Sequence, residues 1–145
     1  MTNNLLPDEG AIQRALSQFA RILDEKRWDD LDTVFAGDVS FDYGTGEEQE
    51  GIEALRDTMT RFLERCGQTQ HLIGSVLVDV SRDVATSRAY VQARHAGTGN
   101  LAGSIFDTNG EYIDRWLRRD GRWRIVRRDV RWFAFSGDPN VIGMN

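Results

Sequence analysis

The chain changes hydrophobic period once, after Gly67, and that change limits the architectures open to it. Before it, Ile12, Leu16, Phe19 and Leu23 recur at spacings of four, three and four. Ile52, Leu55, Met59, Phe62 and Cys66 recur at three, four, three and four. Such spacing lines one face of an α-helix. The first stripe predicts a helix over about 9–26 capped by Asp8. The second predicts a helix closed by Gly67, a helix-ending residue. Between them, Trp28, Leu31, Val34 and Phe35 mark a short helix. Gly37-Asp38 then breaks into a strand, Val39–Tyr43, which Gly44-Thr45-Gly46 ends as a turn.

Beyond Gly67 the chain reads as strand, over about 68–80, 83–96, 103–119 and 122–135. Ser81-Arg82-Asp83 and Asp120-Gly121 supply turns, the second a hairpin signal flanked by Trp116 and Trp123. Helices first and a long antiparallel run afterwards predict an α+β fold, with the helices on one face of a curved sheet. The length of 145 residues, without repeat or linker, fits one domain spanning 1–145.

Net charge is −5, which gives no global attraction to nucleic acid or to an anionic membrane. The arginines between Arg115 and Arg131 alternate with tryptophan and aliphatic residues, as on the solvated side of strands. Cys66 is the single cysteine and is expected in the core. No intrachain disulfide can form, and no Cys/His cluster suggests a metal site. Met1–Pro7 lacks the basic and apolar regions of a signal peptide, and no apolar run is long enough to span a membrane. A cytoplasmic protein is the expectation.

The chain has two histidines, and they fall on successive strands, His71 in Gln68–Gly74 and His95 in Val91–His95. Histidine changes charge near neutral pH, which suits it to acid–base work. Alternation places His95 in the row of Ala89, Val91 and Ala93, hence inward beside small residues. His71 shares its row with Ile73, Ser75 and Leu77, so alternation permits an inward ring without requiring it. An inward histidine calls for a partner. Asp24, just past the last leucine of the first stripe, is the best placed carboxylate, although a solvated member of the polar run Asp24–Arg27 is the more ordinary reading of it. Arg128 shares parity with Val126, Val130 and Trp132, so a guanidinium could project from an apolar row.

Several segments carry a resemblance in shared order and spacing. They are Leu23–Leu31, Phe41-Asp42-Tyr43, Thr69–Gly74, His95, Asp120–Trp123 and Asp129–Trp132. On these the chain resembles the scytalone dehydratase and SnoaL-like branch of the NTF2-like superfamily. The resemblance covers about 10–135, leaving 136–145 as a tail. It implies an NTF2-like cone-shaped α+β barrel, with N-terminal helices on a strongly curved, mostly antiparallel sheet around a deep pocket. By position, Asp24 and His71 correspond to that family's Asp–His dyad and His95 to its second histidine. Tyr43 corresponds to a tyrosine that polarises the substrate carbonyl, and Arg128 to an arginine bordering the leaving group in dehydrochlorinases. Two positions depart from the pattern. Leu23 stands where the family has a tyrosine, and the apolar Ile113 falls near its pocket asparagine, so half of the carbonyl-binding apparatus is expected to be missing.

The function implied is a cofactor-independent, dehydratase-type lyase. It would remove a proton beside the carbonyl of a small cyclic or aromatic hydroxy-ketone. An isomerase, polyketide cyclase or dehydrochlorinase using the same dyad is the alternative, as is a non-catalytic binding or assembly module. Pocket walls are expected from Trp28, Val39, Met59, Phe62 and Val91, with Phe135–Asn145 as a flap. Trp116, Trp123, Trp132, Phe133 and Phe135 exceed what one small core hides. With the resemblance, they imply a homo-oligomer, a trimer packed through sheet surfaces or else a dimer.

Overall fold

The structure is a computed structural model and describes residues 5–144. Met1–Asn4 and Asn145, the ends of the expected leader-free N-terminus and of the flap, lie outside the described residues. Helix α1 spans Leu6–Asp24 and is followed by a 3₁₀ segment, Trp28–Thr33. Strands β1 (Phe35–Asp42) and β2 (Gln49–Glu50) precede helix α2 (Ile52–Leu63). Four long strands complete the sheet: β3 (Thr69–Ser81), β4 (Val84–Ala96), β5 (Ile105–Arg119) and β6 (Arg122–Gly137). A last 3₁₀ turn covers Pro139–Ile142.

Helix α1 begins earlier than the apolar stripe suggests, because Pro7 can occupy its first turn without losing a hydrogen bond. Asp8 is therefore no cap. Its carboxylate accepts from Arg118 Nη1 at 2.8 Å and Trp123 Nε1 at 3.1 Å, fastening the start of α1 to the β5–β6 hairpin. At the other end, the chain turns through a left-handed Lys26 (φ 54°). The Lys26 ammonium donates to the carbonyls of Glu64 at 3.0 Å and Cys66 at 2.5 Å, tying together the ends of both helices. Cys66 is buried, as expected, though just beyond α2.

The sheet order is β2-β1-β6-β5-β4-β3. Every pairing is antiparallel except β1 with β6, which the intervening elements allow to run parallel. The sheet curls without closing. Its bends coincide with extra residues. Register shifts leave Phe133 and Val126 unpaired on β6, and β3 carries one residue more than β4 between Gly74 and Leu77. Such bulges increase local twist and turn a strand away from the flat sheet. On β3 the bulge includes Ser75 at φ 49°. It also breaks the predicted row: His71 points inward, whereas Leu77, three strand periods on, is exposed.

Helix α1 buries Ile12, Leu16, Phe19 and Leu23 within the curl. Phe19 meets Phe35 and Tyr112 edge-on, with ring centroids 5.3 and 5.8 Å apart. Trp116 and Trp123 are hidden by the chain itself, and Trp116 Nε1 donates to Ser87 Oγ at 2.8 Å. On the outer side Leu72, Leu77, Tyr90 and Phe133 stay exposed. No helix is long and apolar enough to cross a membrane among the described residues.

Gly110 sits at one of the bends, where an added Cβ would lie 2.3 Å from the Arg131 carbonyl oxygen and 2.9 Å from Trp132. Neither atom can yield without moving the β5–β6 ladder. Gly110→Ala is expected to destabilise the fold by about 1–3 kcal/mol, the usual range for overpacking. Urea unfolding of the two proteins measures it, and equal midpoints would refute the argument.

Candidate active site

The curl and the two helices enclose a cavity of about 680 Å³, within the range of small-molecule sites. Its wall is mainly apolar, with Leu23, Met59, Phe62, Val130 and Trp132 contributing. Polar side chains in its lining include His71, His95, Tyr43, Tyr112, Thr58 and Thr108.

Asp24 closes α1 and meets the first residues of β3. Its Oδ1 accepts from Thr69 Oγ1 at 2.9 Å, and its Oδ2 accepts the backbone N–H of His71 at 3.1 Å. The same Oδ1 lies 2.7 Å from His71 Nδ1. An ionised carboxylate only accepts, so Nδ1 of His71 carries the proton and Nε2 keeps its lone pair. Burial pushes the Asp24 carboxyl up, but the hydrogen bonds from the ring and backbone of His71 and from Thr69 outweigh it. The net result lies below the usual carboxylate value. Asp24 is thus held as an anion that would stabilise an imidazolium at His71.

His95 arrives by strand alternation, as expected, and is 4% exposed. Its Nδ1 lies 2.8 Å from the carbonyl oxygen of Phe106 on β5. A carbonyl cannot donate, so Nδ1 is again the protonated nitrogen. Burial lowers the His95 pKa below the ordinary value, and the charge that His71 can carry adds to this, against the Phe106 hydrogen bond. The two imidazole rings stand edge-to-face with centroids 5.7 Å apart. One has an anion behind it and the other a neutral carbonyl.

Tyr43 is held at the mouth of the β1–β2 turn. Trp132 Nε1 donates to its carbonyl at 3.0 Å, and Gly44 (φ 88°) follows with no room for a Cβ against the Trp132 ring. Behind Tyr43 lies Arg128, fully buried, whose Nε and Nη2 each donate to Asp114 at 2.8 Å in a two-pronged pair. Nη1 of Arg128 donates to the Tyr43 hydroxyl at 3.3 Å. Burial raises the Tyr43 phenol, against the pull of the Arg128 charge. Arg128 therefore does point inward from an apolar row, but it does not line the cavity. Its fork is spent on Asp114, which corrects the expectation that it borders a substrate.

Tyr112 escaped the sequence reading. The neighbouring Ile113, read as an apolar substitute for a pocket asparagine, lies on the opposite side of β5 from the cavity, whereas Tyr112 lines it, with its ring centroid 6.2 Å from that of Tyr43. A phenol therefore lines the cavity one position from Ile113. Parity could have found it, because Phe106, Thr108, Tyr112, Asp114 and Trp116 form one buried row. Among the expected walls, Met59 and Phe62 line the cavity, and Trp28, Val39 and Val91 do not. Val39 and Val91 are core, and Trp28 donates to Glu64 Oε2 at 2.5 Å outside the cavity. From the tail, Phe135, Ile142 and Met144 reach the cavity wall. Among the described residues, no three His, Cys, Asp or Glu side chains cluster as metal ligands would.

Comparison with known proteins agrees with this geometry. The chain is 28% identical over 124 residues to an uncharacterized protein of Mycobacterium tuberculosis, covering 85% of this chain and 84% of that one. A candidate scytalone dehydratase from Novosphingobium aromaticivorans is similar in structure, with TM-score 0.85 and 25% identity over 95% of this chain and 92% of that one. A hexachlorocyclohexane dehydrochlorinase, LinA type 2, shares the fold at TM-score 0.80, 18% identity and coverage of 92% and 90%. The SnoaL-like domain matches residues 4–129, and the chain belongs to that family, within the NTF2-like fold.

Proposed function

We propose that this chain is a cofactor-independent lyase of the dehydratase type, acting on a small cyclic or aromatic hydroxy-ketone. One observation carries the reading. Asp24 holds His71 in the tautomer whose Nε2 lone pair is free, and the ring lies in the wall of an apolar cavity. His71 Nε2 would take the proton beside the substrate carbonyl, while Asp24 balances the imidazolium that forms. Tyr43 would donate a hydrogen bond to the carbonyl oxygen as negative charge builds there. His95 is better suited to accept than to donate: burial keeps it neutral, and its one ring proton is committed to Phe106. It would orient the hydroxyl that leaves, and the proton that hydroxyl needs would return from His71.

The same dyad would serve loss of chloride, isomerisation or cyclisation. The structural likeness to a dehydrochlorinase makes loss of chloride the second reading. Product mass separates these outcomes, since dehydration removes water and isomerisation leaves the mass unchanged. The exposed Leu72, Leu77, Tyr90 and Phe133 support a homotrimer joined through the outer side of the sheet. Light scattering on the purified protein should give three times the chain mass, and Tyr90→Glu should lower it. A monomeric wild type would end that assignment.

In an active preparation, His71→Ala and Asp24→Asn should each lower turnover by about 10²–10⁴-fold. Turnover within a few-fold of wild type in either variant would sink the dyad. His95 also makes stability depend on pH with a definite sign. Its folded value is depressed, so the folded state binds fewer protons than the unfolded one. The stability this confers is present above the ordinary value of 6.5 and is lost as pH falls from there through the folded value. Asp24, also depressed, adds a second loss at lower pH, as its own folded value is crossed. Unfolding free energy should therefore decline below neutral pH. In His95→Asn, whose amide can still donate to Phe106, the first part of that decline should flatten. An unchanged slope would contradict it.

A further inference from the structure

Thr108 is 5% exposed and lies in the cavity wall, and its hydroxyl has no hydrogen-bond partner among the described residues. Among those residues, no side-chain nitrogen or oxygen sealed from solvent is left without a partner. The Thr108 oxygen is therefore open, and the space beside it is the cavity that the residue lines. Thr58 makes the contrast. It is equally buried in the same wall, but its hydroxyl is spent on the Ala54 carbonyl at 2.9 Å. The same reasoning opens Nε2 of His95, whose ring is bonded only through Nδ1, to Phe106.

The sheet register sets these two groups beside each other. His95 faces Phe106 across β4 and β5, and Thr108 is two residues further along the same buried row. Thr108 itself faces Ala93, whose neighbour on β3 is His71. Only a methyl side chain thus stands between His71 and Thr108, with His95 next along β4. Diagonal neighbours on adjoining strands stand about 7–8 Å apart, and less at their side chains. One oxygen atom bonded to both groups spans up to about 5.5 Å at ordinary hydrogen-bond lengths.

The two groups are also complementary in chemistry. Burial keeps His95 neutral, and its one ring proton is committed to Phe106, so Nε2 accepts. The Thr108 proton is uncommitted, so this hydroxyl can donate. An alcohol uses both, giving its hydrogen to His95 and taking one from Thr108. A chloride has no hydrogen to give and would leave the buried His95 nitrogen unpaired, which costs affinity.

We propose that Thr108 and His95 form the seat of the departing oxygen, and that this seat selects a hydroxyl over a halide as the leaving group. The assignment rests on the lyase reading and narrows its substrate class to a β-hydroxy ketone. As the C–O bond breaks, its electron pair leaves with the oxygen. That oxygen keeps its own hydrogen toward His95 and receives from His71 the proton taken from carbon. The electron pair of the broken C–H bond becomes the new C=C bond, and water departs. Thr108 transfers no proton, but its hydrogen bond strengthens as charge gathers on the oxygen.

The test uses 3-hydroxy-2,2-dimethylindan-1-one, which has no hydrogen between its carbonyl and its hydroxyl carbon and cannot be dehydrated. Its 3-chloro counterpart and 2,2-dimethylindan-1-one are the controls. Binding is followed by tryptophan fluorescence, because Trp132 lies in the cavity wall. Thr108→Val keeps the branched shape and should weaken the hydroxyl probe by about threefold to tenfold, the worth of one hydrogen bond. It should leave both controls unchanged. Thr108→Ser keeps the hydroxyl and should bind the hydroxyl probe as wild type does.

Equal loss for all three probes would mark Thr108 as packing alone, and no loss for the hydroxyl probe would show that it meets no leaving oxygen. Either result would overturn the proposal. If Thr108→Val does not fold, Thr108→Ala set against Thr108→Ser gives the same comparison. Thr108→Val should have the same effect in a His71→Ala background, because probe binding involves no proton abstraction. A failed dyad and a failed seat are thereby told apart.

Discussion

The Arg128–Asp114 pair is the contact around which this fold is organised. Its two members face each other across the β5–β6 register, and both are fully withdrawn from water. Taking a carboxylate and a guanidinium out of water costs several kcal/mol per ion, and only good geometry with further partners repays it. Here the fork is two-pronged and the cation is ringed by Phe19 from α1, Phe35 from β1 and Tyr112 from β5, at 4.5, 5.0 and 3.8 Å. One charge thus sets the approach of a helix and three strands. Phe19 stands on the same helix whose last residue, Asp24, meets the start of β3.

The site above this pair depends on an asymmetry between two similar rings. Both histidines line one cavity, and both have Nδ1 committed. Behind His71 stands a carboxylate, behind His95 a backbone carbonyl. The buried His95, with only a carbonyl behind it, is held below its ordinary pKa, whereas the carboxylate behind His71 would offset positive charge formed there. The buried cation beneath Tyr43 extends the logic, because negative charge on an oxygen near that hydroxyl would be met by a donor already in place.

Much of this was legible in the residues, and the exceptions have physical causes. Alternation on β4 was enough to turn His95 inward, since that strand has no bulge before it. His71 was undetermined because the bulge at Ser75 breaks its row, and nothing in the local pattern announces a bulge at a serine. Asp24 read as part of a polar run, and its role needed β3 to arrive beside it. Parity allowed Arg128 to project from an apolar row, though an exposed or interface arginine was the more ordinary reading, and its partner was invisible. A carboxylate at Asp114 looks solvent-facing until a guanidinium is known to lie opposite. Tyr112 was not legible as a site residue because a tyrosine in a buried strand row reads as core until the cavity beside it is known.

What the sequence determined by itself is what depends on spacing alone. The helical stripes, the long strands after Gly67, the α+β class and the inward row of β4 follow from local periodicity, which is a property of neighbours in the chain. The tertiary structure decided the remainder: the parallel seat of β1 on β6, the curl of the sheet, the pairing of Asp24 with His71, and the burial of Arg128 against Asp114. Those pairings join residues 14 to 90 positions apart. Their energies depend on desolvation and on hydrogen-bond direction, neither of which exists until the surfaces have met.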